Sequence, residues 1–252
     1  MPLRAVVFDL FDTLVDLRFE DLPRMEHAGR RLPASLREMH AAAAEHRLLD
    51  FDEFLKELHA VDTRMRAVQV EEGREISTQQ RFEELAQNLG IEDPQLPAVL
   101  TDVHMGTLRS TVSVPDHHRG LLGQLGARVS VGLCSNFTHS ATALAVVEEA
   151  GFREHFDVIA ISDAVGWRKP REEIFRVVLE TLDVAPEEAL HVGDSLRADV
   201  AGAAAVGMRT AWVTRRVTDP DKLRAEHEGP APDHELRDLA ELESLIEGEE
   251  FR

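Results

Sequence analysis

Ala5-Val6-Val7-Phe8-Asp9-Leu10-Phe11-Asp12-Thr13-Leu14 is the stretch that decides the fold of this chain. Its first four residues are a continuous apolar run with valines at the centre, the pattern of a strand buried on both faces. Asp9 ends the run, and a second carboxylate, Asp12, follows three residues later. Similar short runs recur at 129–134, 158–162, 190–192 and 210–213, and stretches of helical spacing at 140–150, 172–182 and 198–206 lie between them. Strand alternating with helix over 114–246 predicts an α/β fold, a parallel sheet covered by helices on both sides.

Residues 17–113 read differently. They are rich in Glu, Arg, Ala, Leu and His, and apolar residues recur at spacings of three to four. Leu48, Phe51, Phe54, Leu55 and Leu58 trace one predicted helix face, and Phe82, Leu85 and Leu89 another that stops at Gly90. Arg24, Arg30 and Arg31 fall at the start of this segment, as an exposed helix face or a cationic patch for an anionic substrate. The expected organisation is therefore a core of 1–16 and 114–252, interrupted by a helical insertion at 17–113.

The 252 residues carry 28 Lys plus Arg against 47 Asp plus Glu, a formal charge of −19 with the 12 His neutral. Such an excess repels nucleic-acid phosphates and anionic lipid heads, so small ligands and metal cations are the expected partners. With 43% hydrophobic residues there is material for a packed core. The single cysteine, Cys134, has no partner for an internal disulfide and reads as a packed thiol. No run approaches the ~18 apolar residues of a membrane span, and the first residues lack a signal-peptide pattern, so a cytoplasmic location is expected. The histidines are scattered, and pairs such as His117-His118 lack helical ligand spacing, which reads as surface. The acidic tail 247–250 reads as a solvated end.

Four clusters fall where a parallel sheet exposes its carboxyl edge, the place where open α/β folds bind ligands. They are Asp9 to Leu14, Leu133-Cys134-Ser135-Asn136, Gly166-Trp167-Arg168-Lys169-Pro170, and His191-Val192-Gly193-Asp194-Ser195 with Asp199. Each alone could be a turn, a helix cap or a surface charge. In this order, Asp9, Ser135, Lys169 and Asp194 with Asp199 resemble the four motifs of the haloacid dehalogenase-like hydrolase superfamily. The insertion resembles the helical cap of its phosphoglycolate-phosphatase-like and dehalogenase-like branch. The short interval between Ser135 and Lys169 leaves no room for the superfamily's larger alternative cap.

The resemblance implies a Rossmann-like three-layer core, an aspartyl nucleophile at Asp9 and catalytic support from Lys169. It implies Mg²⁺ held by Asp9, the carbonyl of Phe11 and Asp194, with Asp199 in support. Thr13, Ser135, Asn136 and Lys169 would hold a small, anionic, phosphorylated substrate, in a monomer or a homodimer. One residue departs from the pattern. Phosphatases of this family place a second Asp two positions after the nucleophile, where this chain has Phe11, which cannot transfer a proton. Asp12 is one position further on, where most relatives have Gly. An aromatic residue at that point is similar to the L-2-haloacid dehalogenases, which use no metal and carry Ser and Asn in the fourth motif. The Gly193-Asp194 pair favours metal-dependent phosphoryl chemistry; dehalogenation and ligand binding with little turnover are the alternatives.

Overall fold

The computed structural model describes residues 2–248, so Glu249 and Glu250 of the acidic tail lie outside the described residues. The chain divides into two compact units, Met1–Asp16 with Ser113–Arg252, and Leu17–Val112.

The first unit is built on a six-stranded sheet. Its strands are β1 (Ala5–Phe8), β2 (Ser130–Ser135), β3 (Val158–Ile161), β4 (Ala189–Gly193), β5 (Arg209–Val213) and β6 (His234–Leu236), in the order β6-β5-β4-β1-β2-β3. Every pairing is parallel. All of β1 and β4 is buried, as continuous apolar runs in a sheet covered on both faces require. On one face Ala5, Val7, Cys134, Ala160 and Ala189 meet Ile174, Phe175, Val178 and Leu179 of the helix Glu172–Leu182. Small residues bring that helix close: a Cβ at Gly132 would lie 3.0 Å from Val178 Cγ1. Phe8 is level with Leu133 on one side and Val192 on the other, so Asp9, Ser135 and Asp194 leave the sheet at the same rim.

The second unit has its own core, built from α1 (Ser35–Ala44), α2 (Phe51–Glu71), α3 (Thr78–Asn88) and α4 (Leu96–Arg109). Local signals set its helix ends. Asp50 caps α2 by accepting from Asp52 N, and Ser77 and Gln80 form a reciprocal capping box on α3. Gly90, at φ 67°, follows α3. The unit is not wholly helical. Arg24–His27 and Arg30–Pro33 pair as an antiparallel hairpin, turning through Ala28 and Gly29 at positive φ. Arg24, Arg30 and Arg31 thus belong to strands, a correction to the helix-face reading; the hairpin is largely exposed and has no alternating apolar pattern to reveal it. Leu48 is also corrected: it precedes α2 and is 99% exposed, whereas Phe54 and Leu58 are buried.

Candidate active site

Asp9 stands at the first position beyond β1, its amide donating to Val192 O at 2.9 Å. The chain then folds back. The amides of Leu14 and Val15 both donate to Leu10 O at 2.9 Å, and Asp12 N donates to Val15 O at 2.6 Å. This turn puts Asp12 at φ 59°, the left-handed region where Gly is easiest and Asp is among the tolerated residues. The Asp12 carboxylate faces Arg216 Nε at 3.4 Å. Phe11 packs its ring on Phe137, with centroids 4.5 Å apart.

Lys169 is the hub of the site. Almost fully buried, it donates from Nζ to Asp9 Oδ1 at 2.7 Å and to Asp199 Oδ1 at 2.6 Å. The Asn136 side chain brackets its backbone: Asn136 Nδ2 donates to Lys169 O at 2.9 Å and Lys169 N donates to Asn136 Oδ1 at 2.7 Å. The Asn136 side chain thereby locks the lysine loop against the end of β2.

Asp199 is 1% exposed and accepts from three donors. Besides Lys169, His191 Nε2 donates to Oδ1 at 2.9 Å and Ser195 N donates to Oδ2 at 2.9 Å. Backbone geometry makes this possible. The expected helix over 198–206 begins instead as a π-helical segment, Leu196–Ala201, entered with Ser195 Oγ accepting from Ala198 N, and α-helix follows only at Gly202–Ala205. Asp199 returns so close to β4 that a Cβ at Gly193 would lie 2.2 Å from its Cγ. Gly193 is therefore required by packing. His191, named in the fourth cluster, carries no role of its own in the sequence reading because histidines read as surface; its place inside the apolar run 190–192 was the available signal.

Burial, partly offset by Lys169 and reinforced by Asp199, pushes the Asp9 carboxyl up to about 6. For Asp194, burial and then the neighbouring Asp9 and Asp199 push it up to about 8. Burial also opposes ionisation of Asp199, but Lys169 and the His191 hydrogen bond outweigh it and hold Asp199 below the usual carboxylate range. Lys169 stays protonated because Asp199 and Asp9 outweigh its burial. Burial lowers His191 below the usual imidazole range, so it donates as a neutral ring. Cys134 is pushed up to about 12 by burial, an inert packed thiol.

One oxygen from each of Asp9, Asp194 and Asp199 lies within 4.8 Å of the others. Three carboxylates around one lysine leave the site short of positive charge, and this repulsion adds to burial in raising Asp9 and Asp194. Their hard oxygens suit a Mg²⁺ ion. Thr13 Oγ1 and Ser135 Oγ are buried hydroxyls with no hydrogen-bond partner among the described residues. Beside Asp194 and Ser195 runs a groove of about 1030 Å³, lined also by Leu196, Arg216, Val217 and Lys222.

The haloacid dehalogenase-like hydrolase family matches residues 3–207. Among curated proteins, the haloacid dehalogenase-like hydrolase domain-containing protein 3 of Bos taurus is 40% identical over 102 residues, 39% of this chain and 41% of the relative, so that match spans about two fifths of the relative's length. The 5-amino-6-(5-phospho-D-ribitylamino)uracil phosphatase YigB of Escherichia coli is 27% identical over 247 residues, 96% of this chain and 95% of the relative. Among solved structures, a 2-haloacid dehalogenase from Pseudomonas syringae superposes with a TM-score of 0.66 at 18% identity, covering 97% of this chain and 98% of that one, a likeness of fold.

Proposed function

Because the chain belongs to the haloacid dehalogenase-like hydrolase family, we propose that it is a Mg²⁺-dependent phosphatase that acts on a small phosphorylated metabolite through an aspartyl-phosphate at Asp9. The observation that carries this reading is the crowding of Asp194 on Asp9. Two like charges ~4 Å apart repel by about 4 kcal/mol at an effective dielectric near 20, so a carboxylate beside the nucleophile hinders attack on any anion unless a cation accompanies it. Asp9 and Asp194, with the carbonyl of Phe11, would hold that cation. When bound, Mg²⁺ supplies the charge that admits a phosphoryl group and polarises its oxygens.

The chain's own residues do the rest. Lys169 fixes one oxygen of Asp9 and screens its charge, so the carboxylate is aimed before substrate arrives. Asp199 and Asn136 hold Lys169 in turn, and His191 holds Asp199. An unpaired buried hydroxyl costs ~1–3 kcal/mol, so Thr13 and Ser135 have reason to donate to an incoming phosphoryl oxygen. Asp9 forms the O–P bond as the ester P–O bond breaks; water then attacks phosphorus, releasing phosphate and restoring Asp9. The reacting group is the phosphoryl end of a small metabolite. The Leu17–Val112 unit serves as the cap that selects it, and the enzyme works in the cytosol.

Phe11 cannot protonate the leaving oxygen, so leaving groups that need little proton help should react fastest. The same residue favours a second reading, dehalogenation of an L-2-haloacid, in which halide departs without a proton. The deciding experiment measures phosphate release from p-nitrophenyl phosphate and chloride release from 2-chloropropionate, each with Mg²⁺ and with EDTA. Phosphate release that disappears in EDTA supports the phosphatase; chloride release in EDTA overturns it. With the phosphatase reading, Phe11→Asp should raise turnover of an alkyl phosphate by on the order of 10²-fold.

A further inference from the structure

We propose that His117, His118 and Asp238 form a second metal site, for one transition-metal dication of the Zn²⁺ class, separate from Asp9 and Asp194. A ring nitrogen of each histidine and a carboxylate oxygen of Asp238 lie within 4.8 Å of one another. His118 opens the helix His118–Gly126 and is 0% exposed. Its Nδ1 is 2.8 Å from Leu14 O. A carbonyl only accepts, so Nδ1 carries the proton and Nε2 is left as a lone pair.

That Nε2 is buried and has no hydrogen-bond partner among the described residues. A bare buried nitrogen needs a donor or a cation. One ring N–H held by a backbone carbonyl while the other nitrogen stays free is the arrangement of a metal-bound histidine. His117 Nε2 is 2.7 Å from Asp238 Oδ1, so a cation replacing their shared proton gains a second nitrogen and an oxygen.

Arg215 is the nearby cation to be reckoned with. Its Nε is 3.8 Å from Asp238 Oδ2, and its guanidinium forms a two-pronged pair with Asp16. Asp16 and Asp238 together outnumber it, so the locus is anionic before a metal enters. Two imidazoles and one carboxylate suit Zn²⁺, with a fourth position for water, and not Mg²⁺, which takes the all-oxygen cluster at Asp9 and Asp194. The two sites therefore select different ions. Asp238 also caps the segment 239–247 by accepting from Ala240 N. A metal here would tie that segment to the helix at 118 and, through Leu14 O, to the loop that carries Asp9.

The test uses the full chain saturated with Mg²⁺ and titrated with Co²⁺ as a spectroscopic stand-in for Zn²⁺. One Co²⁺ per chain with a tetrahedral-type visible spectrum is expected. His117→Ala and Asp238→Asn, both changes of partly exposed side chains, should weaken it by at least about tenfold, whereas Asp9→Asn should leave it intact. No stoichiometric Co²⁺, equal affinity in the wild type and His117→Ala, or loss in Asp9→Asn would each overturn the proposal.

Discussion

In the loop after β1 each carboxylate meets a cation: Asp9 faces Lys169, Asp12 faces Arg216 and Asp16 faces Arg215. In the turn after β4 the two carboxylates are five positions apart and meet opposite surroundings. Asp199 accepts from Lys169, His191 and the Ser195 amide. Asp194 faces Asp9 and Asp199, and its backbone carbonyl, not its carboxylate, receives Trp212 Nε1 at 2.7 Å. The difference separates two duties that one paired-Asp motif conflates. Asp199 holds Lys169, and under the proposed function Asp194 would be the carboxylate left to attract a cation.

Replacing each with its amide sharpens the contrast most. Asp199→Asn leaves Lys169 buried with only half its counter-charge, and breaking a buried pair costs ~3–5 kcal/mol. Urea unfolding in EDTA should show a loss of that size. Asp194→Asn removes a charge that its neighbours repel, so the same measurement should show no loss, or a gain. Equal losses in both variants would erase the distinction between the two carboxylates.

The parts of this arrangement that were legible in the sequence are those that obey period and order. The strand runs at 5–8, 129–134, 158–162, 190–192 and 210–213 lie within one or two residues of the observed strands, because a sheet covered on both faces must be apolar throughout. Asp9, Ser135, Lys169 and Asp194 were legible because they end such runs or follow a loop signature. The short edge strand β6 was missed because His234-Glu235-Leu236 has no apolar run, and an edge does not demand one. The Asn136 bracket, the His191 donor and the π-helical return of Asp199 depend on three-dimensional approach, which no local pattern encodes. Gly193 and Asp199, six positions apart, look independent until a Cβ at Gly193 collides with the carboxylate.

A smaller effect tests the same contrast through protons. Asp194 at about 8 and Asp9 at about 6 both exceed the ordinary value of 3.8 that applies when the chain is unfolded. The folded, metal-free protein then binds more protons than the unfolded chain between about pH 4 and 8. Its stability falls as pH rises through that window and levels off above it. Asp199 has the opposite sign: its contribution is present above pH 3.8 and is lost in stronger acid. Mg²⁺ competes with the protons on Asp194 and Asp9, so its apparent affinity should rise by up to about tenfold per pH unit from 6 to 8. Thermal shifts with Mg²⁺ at pH 6, 7 and 8 should widen in step, and in Asp194→Asn the trend should flatten.

Asp12→Gly is the mildest change and probes the better-neutralised loop. Gly adopts φ 59° without the strain of a side chain, worth ~1 kcal/mol. Against that gain stand the larger freedom of Gly in the unfolded chain, ~0.4–1 kcal/mol, and the loss of the Arg216 pair. With both partners about 30% exposed, that pair is worth ~0–1 kcal/mol. These terms nearly cancel, so chemical unfolding should register a change within about 1 kcal/mol. Asp12 also helps raise Asp194, so its removal should move the pH window of the Mg²⁺ response toward acid. A loss well beyond 1 kcal/mol would mean that the Asp12–Arg216 pair holds the Asp9 loop in place, and the opening loop would then depend on its ion pairs as strongly as Asp199 depends on Lys169.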